Sequence, residues 1–389
     1  MSTAPLDLAR PHLVGLVGEL RDTGAIRTAR WADAFATVPR HVFVPRWYEQ
    51  ETNDEGITVW RVQSTAHADQ LPRVYRDVTL VTTLDPDTEE QVDTGAWTGI
   101  PTSSSTMPSL MANMLEDLNI EDGHRVLEVG TGTGYNTALL CARLGEDLVY
   151  SIDVDSTLVQ VAQLRLAELA YMPNLSAGDG QDGYPGATSF DRIVATCSVP
   201  RIPPAWIEQT RPDGIVLADI NLGIEGGLVR LAVDADQRAF GHFTASGGRF
   251  MPARSNADTY PRRSRAPYAP ETSTRLSTVT AADIRGNYPL RLLLALELPG
   301  TELVYHSDDA TGALSLQLQR PDGSWARTPM AGEAIVTHGG DPDLWQAVEQ
   351  AWRWWTQQGR PAQDRFGYAR EPEGAVRIWH APTGRRWNL

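Results

Sequence analysis

The sequence predicts an α/β chain: a doubly wound, mostly parallel sheet with an antiparallel edge hairpin, followed by a smaller α+β C-terminal domain. Three observations carry this. Between residues 125 and 221 short apolar runs alternate with helix-period segments, a pattern that implies right-handed crossovers and a parallel sheet. A glycine-rich turn, "GTGTG", separates the first such run from the helix after it. The composition then shifts: residues 1–244 carry 17 Arg against 34 Asp and Glu, and residues 245–389 carry 17 against 15. The second part also holds seven of the twelve tryptophans. We expect a main domain over 1–250, a linker or wrapping segment over 251–280, and a C-terminal domain over 281–389.

The elements follow in order. Leucines and valines at helical spacing predict an amphipathic helix over 5–22, and a shorter one over 28–37 is closed by Pro39. Residues 50–100 are polar, and only Val74–Leu84 has the pattern of a strand. "TMPSLMANMLEDL" predicts a helix. The alternation then runs "RVLEVG" (strand), "YNTALLCARLG" (helix ending at Gly145), "LVYSID" (strand), "STLVQVAQLRLAELA" (helix), "FDRIVATCSV" (strand), "PPAWIEQT" (short helix) and "GIVLADI" (strand). "GGLVRLAVDADQRAFGHFTA" predicts a hairpin turning near Ala235–Asp236 at the sheet edge. Residues 252–280, rich in Pro, Arg, Ser and Thr, read as linker. "PLRLLLALEL" is a strand or a short helix, and "GALSLQLQRPDGSWAR" a hairpin around Pro321–Gly323. "DPDLWQAVEQAWRWWTQQGRP" is a helix that Asp341 or Asp343 can cap, with Trp345, Val348, Trp352 and Trp355 on one face. "AVRIWHA" and "RRWNL" close the chain as strands.

Composition excludes several classes. A formal charge of −15 argues against nucleic-acid binding, which needs a basic face. No apolar run reaches the roughly 20 residues of a membrane span, and the N-terminal segment lacks the h-region of a signal peptide. All 34 basic residues are arginines, so Schiff-base and phosphate-loop lysine chemistry is absent. Cys141 and Cys197 lie in apolar runs and read as reduced core residues of a cytoplasmic protein. The eight histidines are scattered, His41 reads as structural, and no metal-ligand cluster is present.

The chemistry concentrates around "VLEVGTGTGYN". Gly130, Gly132 and Gly134 let the chain turn tightly and present backbone N–H groups to a ligand. The spacing is G-x-G-x-G, with Tyr135 where a dinucleotide motif needs its last glycine. This favours S-adenosylmethionine over a nicotinamide cofactor. Asp153 ends the next strand and can accept from ribose hydroxyls, Asp179–Gly180 is placed for the adenine amino group, and Glu128 can face the methionine amine. Singly, each carboxylate reads as a solvated loop or a cap. At these intervals together they read as a nucleotide-like cofactor site.

Five motifs, in order, resemble the protein L-isoaspartate O-methyltransferases: "TVPRHVFVP", "TMPSLMANMLEDL", "RVLEVGTGTGYNTALLCARLG", "AGDGQDGYP" and "FDRIVATCSVPRIPPAWIEQTRPDGIVL". The resemblance covers roughly residues 10–250. It implies a class I, Rossmann-like methyltransferase fold that binds S-adenosylmethionine, releases S-adenosylhomocysteine and methylates an aspartyl or isoaspartyl carboxylate in a peptide. In the family a serine or threonine two residues before the proline contacts the substrate carboxylate. That register selects Thr106, with Ser105 and Ser104 beside it and Ser103 and Thr102 as further substrate contacts. The competing reading is that Thr106 only caps the helix after it. Two departures stand out: an insertion over about 50–100, and about 135 residues beyond the usual end. That layout resembles the branch that tailors ribosomally made precursor peptides beside lanthipeptide or ATP-grasp (graspetide) enzymes. There the aspartyl methyl ester is attacked by the next backbone nitrogen to give an aspartimide. The tail is then expected to recognise the modified precursor. The alternatives are an isoaspartyl repair enzyme and a non-catalytic peptide-binding scaffold.

Overall fold

The computed structural model describes residues 6–52, 58–186, 189–257, 266–308 and 311–389. Two amphipathic helices, α1 (Leu6–Asp22) and α2 (Ala29–Thr37), lead into the short α3 (Arg40–Phe43). The polar stretch that follows, expected to hold a single strand, is a six-stranded antiparallel sheet. Its strands are β1 (Arg46–Thr52), β2 (Thr58–Ser64), β3 (Leu80–Leu84), β4 (Glu90–Asp93), β5 (Ala96–Thr98) and β6 (Pro101–Ser105), in the order β4-β5-β2-β1-β3-β6, with α4 (Leu71–Val74) between β2 and β3. The strand expected over Val74–Leu84 is cut back to β3 by α4. The hydroxyl run is the edge strand β6, and α5 (Pro108–Asp117) follows it directly.

The alternating segment folds as its periodicity predicts: β7 (Val126–Val129), α6 (Tyr135–Leu144), β8 (Val149–Asp153), α7 (Ser156–Glu168), β9 (Asn174–Ala177), β10 (Phe190–Val199), α8 (Pro204–Glu208) and β11 (Thr210–Asn221). The strands pair in parallel as β9-β8-β7-β10-β11. Both faces are covered, and side chains alternate between them. Val126, Val194, Ile215 and Leu217 join the core beneath α1, α2, α5 and α6, while Leu127, Ile193, Val216 and Ala218 join a second core on the other face.

The expected hairpin forms as β12 (Gly226–Val233) and β13 (Ala239–Phe243). It is not the last element of the sheet. β19 (Phe366–Arg370) pairs with β13, and β20 (Val376–His380) and β21 (Arg386–Asn388) extend the sheet to ten strands. The intervening segment supplies α9 (Ala281–Arg285), α10 (Tyr288–Glu297), α11 (Leu344–Gln357) and a five-stranded antiparallel sheet. That sheet comprises β14 (Glu271–Leu276), β15 (Glu302–Ser307), β16 (Leu314–Gln319), β17 (Trp325–Pro329) and β18 (Ile335–Gly339). "PLRLLLALEL" is therefore the helix α10, and the supposed linker contains β14. Residues 258–265 of that linker lie outside the described residues. Trp345, Val348 and Trp355 of α11 are buried in the core that holds Phe243, Val229 and Val216. Asp343 occupies the N-cap position of α11 without a side-chain cap bond.

The boundary drawn at residues 250–281 is thus not a break in the core. The tail completes the sheet begun by the main domain, because β13 would otherwise be a bare edge. A chain ending at residue 250 should lack a cooperative thermal transition, whereas the full chain should melt in one step by circular dichroism. A sharp melt of the short form would restore the two-domain description.

Candidate functional site

β7 is flanked by β8 on one side and β10 on the other, so the strand order reverses between β7 and β10. Open α/β sheets bind ligands at such switch points, beyond the C-terminal strand ends. A cavity of about 240 Å³ lies there, lined by the glycine turn, the ends of β8 and β10, the hydroxyl strand and residues 249–254. Eleven of the twelve residues singled out from the sequence line it: Thr102 to Thr106, Glu128, Gly130, Gly132, Asp153, Asp179 and Gly180. Gly134 does not. It starts α6 at φ 86°, where a Cβ would lie 3.0 Å from Ala162 Cβ, so it sets helix packing. None of the cavity-lining residues lies in 281–389, so the tail stands apart from the site.

The glycine turn is held from beneath. Glu128 is fully buried, and its carboxylate accepts from Asn136 Nδ2 (2.8 Å), Thr137 Oγ1 and Ser151 Oγ (2.8 Å). Burial pushes its pKa up to about 7, against the pull of these three donors. Oε1 takes only one of them and keeps acceptor capacity for an amine. Gly130 has φ 100°, and a Cβ there would come within 2.5 Å of Thr196 Oγ1, which donates to Gly130 O (2.7 Å). Asp153 Oδ2 accepts from Gly132 N (2.8 Å) and Oδ1 from Asp155 N (3.1 Å). Burial raises its pKa. Asp179 Oδ1 caps the short turn that follows by accepting from Gln181 N (2.9 Å), so for this residue the cap reading holds alongside its place in the cavity.

The hydroxyl strand alternates. Ser103 and Ser105 are buried, while Thr102, Ser104 and Thr106 are half-buried. Thr106 is not a helix cap. Met107 holds the N-cap position without a side-chain bond, and the free N–H groups of α5 are met from the insertion: Asp77 Oδ1 accepts from Ser109 N (2.8 Å) and Thr79 Oγ1 from Met107 N (3.3 Å). Behind the strand lies Arg40, fully buried and in no ion pair among the described residues. Its guanidinium donates to the carbonyls of Val74, Arg76, Val78, Ser105 and Thr106 and to Ser105 Oγ, at 3.0–3.4 Å. Desolvation lowers its pKa to about 10, so it stays charged at neutral pH. His41 is buried and bonded to Tyr75 OH (2.6 Å), a structural role as expected.

The remaining wall, residues 249–254, is pinned to the sheet. Phe250 N donates to Asp219 Oδ2 (2.9 Å), Ser198 N to Met251 O (2.8 Å) and Ala253 N to Ser198 O (2.8 Å). Asp219 is buried, and desolvation raises its pKa to about 7. Cys197 is only half-buried by surface and lines the cavity, but burial of the sulfur raises its pKa to about 12 and keeps it a thiol. Sequence reasoning missed Arg40, Thr196, Asp219 and this wall. Arg40 and Thr196 were within reach, since they stand inside the quoted "TVPRHVFVP" and "FDRIVATCSVPRIPPAWIEQTRPDGIVL"; Asp219 and the wall carry no local signal. Among the described residues no group of His, Cys, Asp and Glu could hold a metal, and no helix is long and apolar enough to cross a membrane.

The switch-point cavity, the glycine turn and the acceptors at the ends of β7 and β8 define a class I methyltransferase fold with S-adenosylmethionine as cofactor. The residues fit it: a turn too tight for a Cβ at Gly130, and carboxylates at the adjoining strand ends. Residues 88–257 match the family model for protein-L-isoaspartate(D-aspartate) O-methyltransferase. A protein-L-isoaspartate O-methyltransferase of Anaeromyxobacter dehalogenans is 44% identical over 111 residues, 28% of this chain, and the chain spans about half (52%) of that relative's length. One from Maricaulis maris is 30% identical over 233 residues, 59% of this chain and 89% of the relative. The chain belongs to the protein-L-isoaspartate O-methyltransferase family. A solved structure bearing that name shares the fold over 94% of this chain and 98% of its own, with TM-score 0.52 and 21% identity. Its match extends through the tail, so a long C-terminal region does not by itself mark a tailoring branch.

Two outcomes follow. Gly130→Ala should weaken S-adenosylhomocysteine binding by calorimetry about tenfold, the scale of one overpacked contact, and should also lower the melting temperature, because alanine at this positive φ meets Thr196. The second concerns pH. Glu128 and Asp219 bind protons more tightly folded than unfolded. Their stability contribution is full below the ordinary carboxylate pKa of about 4 and is lost as pH rises through about 7. Asp219→Asn should therefore flatten the fall in melting temperature across that window, and an unchanged slope would refute the assignment.

Proposed function

We propose that this chain is an S-adenosylmethionine-dependent O-methyltransferase that esterifies a carboxylate in a peptide. One observation carries the reading: the hydroxyl strand and the cofactor turn line the same cavity. The Gly132 site, where an added Cβ would lie 3.9 Å from Ser103 Oγ and 3.8 Å from Ser104 O, brings the two walls together. Bound S-adenosylmethionine supplies an electrophilic methyl group. A peptide carboxylate is already ionised at neutral pH and needs no base. The residues have to orient it, exclude water and leave its attacking oxygen free. Alignment of this kind is worth several kcal/mol or more.

Thr106 and Ser104, half-buried and lining the cavity, are assigned to the substrate carboxylate, with Thr102 beside them. Ser105 turns toward Arg40, and Ser103 accepts from Thr82 Oγ1 (3.2 Å), so these two position the strand. Arg40 fixes the strand from behind while its N–H groups are spent on carbonyls. The acceptor site thus keeps neutral donors, which hold a carboxylate without quenching it. Glu128, Asp153 and Asp179 are assigned to the amine, the ribose and the adenine of the cofactor. The cavity set supports this over the scaffold reading, since a bare scaffold has no need of it.

The finer reading is that the acceptor is an aspartate in a ribosomally made, modified precursor peptide. The ester carbonyl is then attacked by the next backbone nitrogen, methanol leaves, and an aspartimide forms. The six-stranded insertion supports this, because it builds the acceptor wall and is where this chain departs from the shorter layout of the resemblance. The repair reading has its own support in the relatives named protein-L-isoaspartate O-methyltransferase. Incubation with a modified precursor peptide and with isoaspartyl peptides separates them. Tailoring predicts a mass gain of one methyl group on the precursor, then net loss of one water. Methylation of isoaspartyl peptides alone would establish repair. Thr106→Ala and Ser104→Ala should cut kcat/KM about tenfold or more, as loss of one oriented hydrogen bond does, with melting temperature held.

A further inference from the structure

The charges of the cavity are sorted by wall. Its carboxylates, Glu128, Asp153 and Asp179, stand at or just beyond the ends of β7, β8 and β9. Its cations, Arg249 and Arg254, both come from the 249–254 wall. The two arginines differ in what they already hold. Arg254 donates to Ala257 O (2.6 Å) and acts electrostatically on Asp153. Arg249 is exposed and makes no hydrogen bond or ion pair among the described residues; it acts electrostatically on buried Asp219 and half-buried Tyr288. Its backbone is nevertheless fixed. The next residue, Phe250, is buried and tied to Asp219, and Met251 and Ala253 are bonded to Ser198. An unengaged guanidinium on a rigid wall is a pre-organised fork for an oxyanion.

That oxyanion is not the methyl acceptor, whose nucleophilicity a guanidinium would suppress. The opposing hydroxyls suit the acceptor. Nor does the chain's overall field attract acidic partners, since its formal charge is −15. A local cation inside the cavity is thus the feature that admits a second negative group.

We propose that Arg249 is a specificity residue that binds a second carboxylate of the peptide, close to the one that is methylated. Acidic peptides are therefore the preferred substrates. This rests on the methyltransferase reading above. The second carboxylate comes from a neighbouring Asp or Glu side chain or from the peptide's C-terminus, and both present the same chemistry to the guanidinium.

The test uses the acceptor identified by the preceding assay, synthesised with Glu or Gln beside the accepting residue and with a free or amidated C-terminus. With the unmodified enzyme the Glu peptide should exceed the Gln peptide in kcat/KM by about tenfold, the size of a partly exposed charge-assisted hydrogen bond. The effect should fall on KM rather than kcat. Arg249→Gln should bring the Glu-to-Gln ratio close to one, and Arg249→Lys should keep part of it. If the free-to-amidated ratio collapses instead, the C-terminus is the partner and the proposal stands. Equal losses on all four peptides, or weakened S-adenosylhomocysteine binding by Arg249→Gln, overturn it by placing Arg249 in the general or cofactor machinery. If the unmodified enzyme methylates no peptide, the methyltransferase reading fails rather than this one.

Discussion

Two buried ionisable groups, neither in an ion pair among the described residues, hold this site. Arg40 lies under the acceptor wall with six acceptors from two stretches of chain. Glu128 lies under the glycine turn with three neutral donors. A buried ion left unsatisfied costs several kcal/mol, so each fixes every segment that supplies it a hydrogen bond. Arg40 thereby ties α3 to the residues after α4 and to the end of β6. Tyr135, whose ring lies 5.9 Å from the Arg40 guanidinium, links that assembly to the first residue of α6. The two walls of the cavity are set by two separate polar knots that meet at one aromatic ring.

This division explains how the insertion is tolerated. A six-stranded sheet placed between α3 and α5 threatens to disturb the hydroxyl strand. Instead it ends in that strand, and it supplies Asp77 and Thr79 to the N-terminus of α5 and the Val74, Arg76 and Val78 carbonyls to Arg40. The insertion is built into the site rather than hung beside it.

The parallel half of the fold was legible because strands buried on both faces must be apolar and their crossover helices must repeat with helical period. The glycines and Asp153 were legible because a tight turn next to a ligand demands those residue types. The insertion sheet was not. β4 is exposed at all four residues, and β1 is buried mainly at Trp47 and Tyr48, so no alternation marks them as strands. The groups that meet the first N–H groups of α5 left no local mark, because they lie about 30 residues upstream. Arg40 went unremarked because its partners are carbonyls, which every residue has. The place of the tail was hidden for a related reason: the pairing of β13 with β19 joins residues more than 100 apart, and each strand alone reads the same with or without a partner.

That long-range pairing sets a timetable for synthesis. When β13 has emerged from the ribosome, every parallel strand of the sheet is already made, yet the strand that covers its flank is still more than 100 codons away. At cellular elongation rates the wait is roughly 10 s, far longer than a hairpin or helix needs to form. During that interval the nascent chain carries a bare, half-polar edge beside an open apolar face. The strand that closes it, β19, is translated only after that wait. A chain of this design therefore stays association-prone well after its parallel strands are made, and its demand on chaperones is set by the late β19 rather than by those strands.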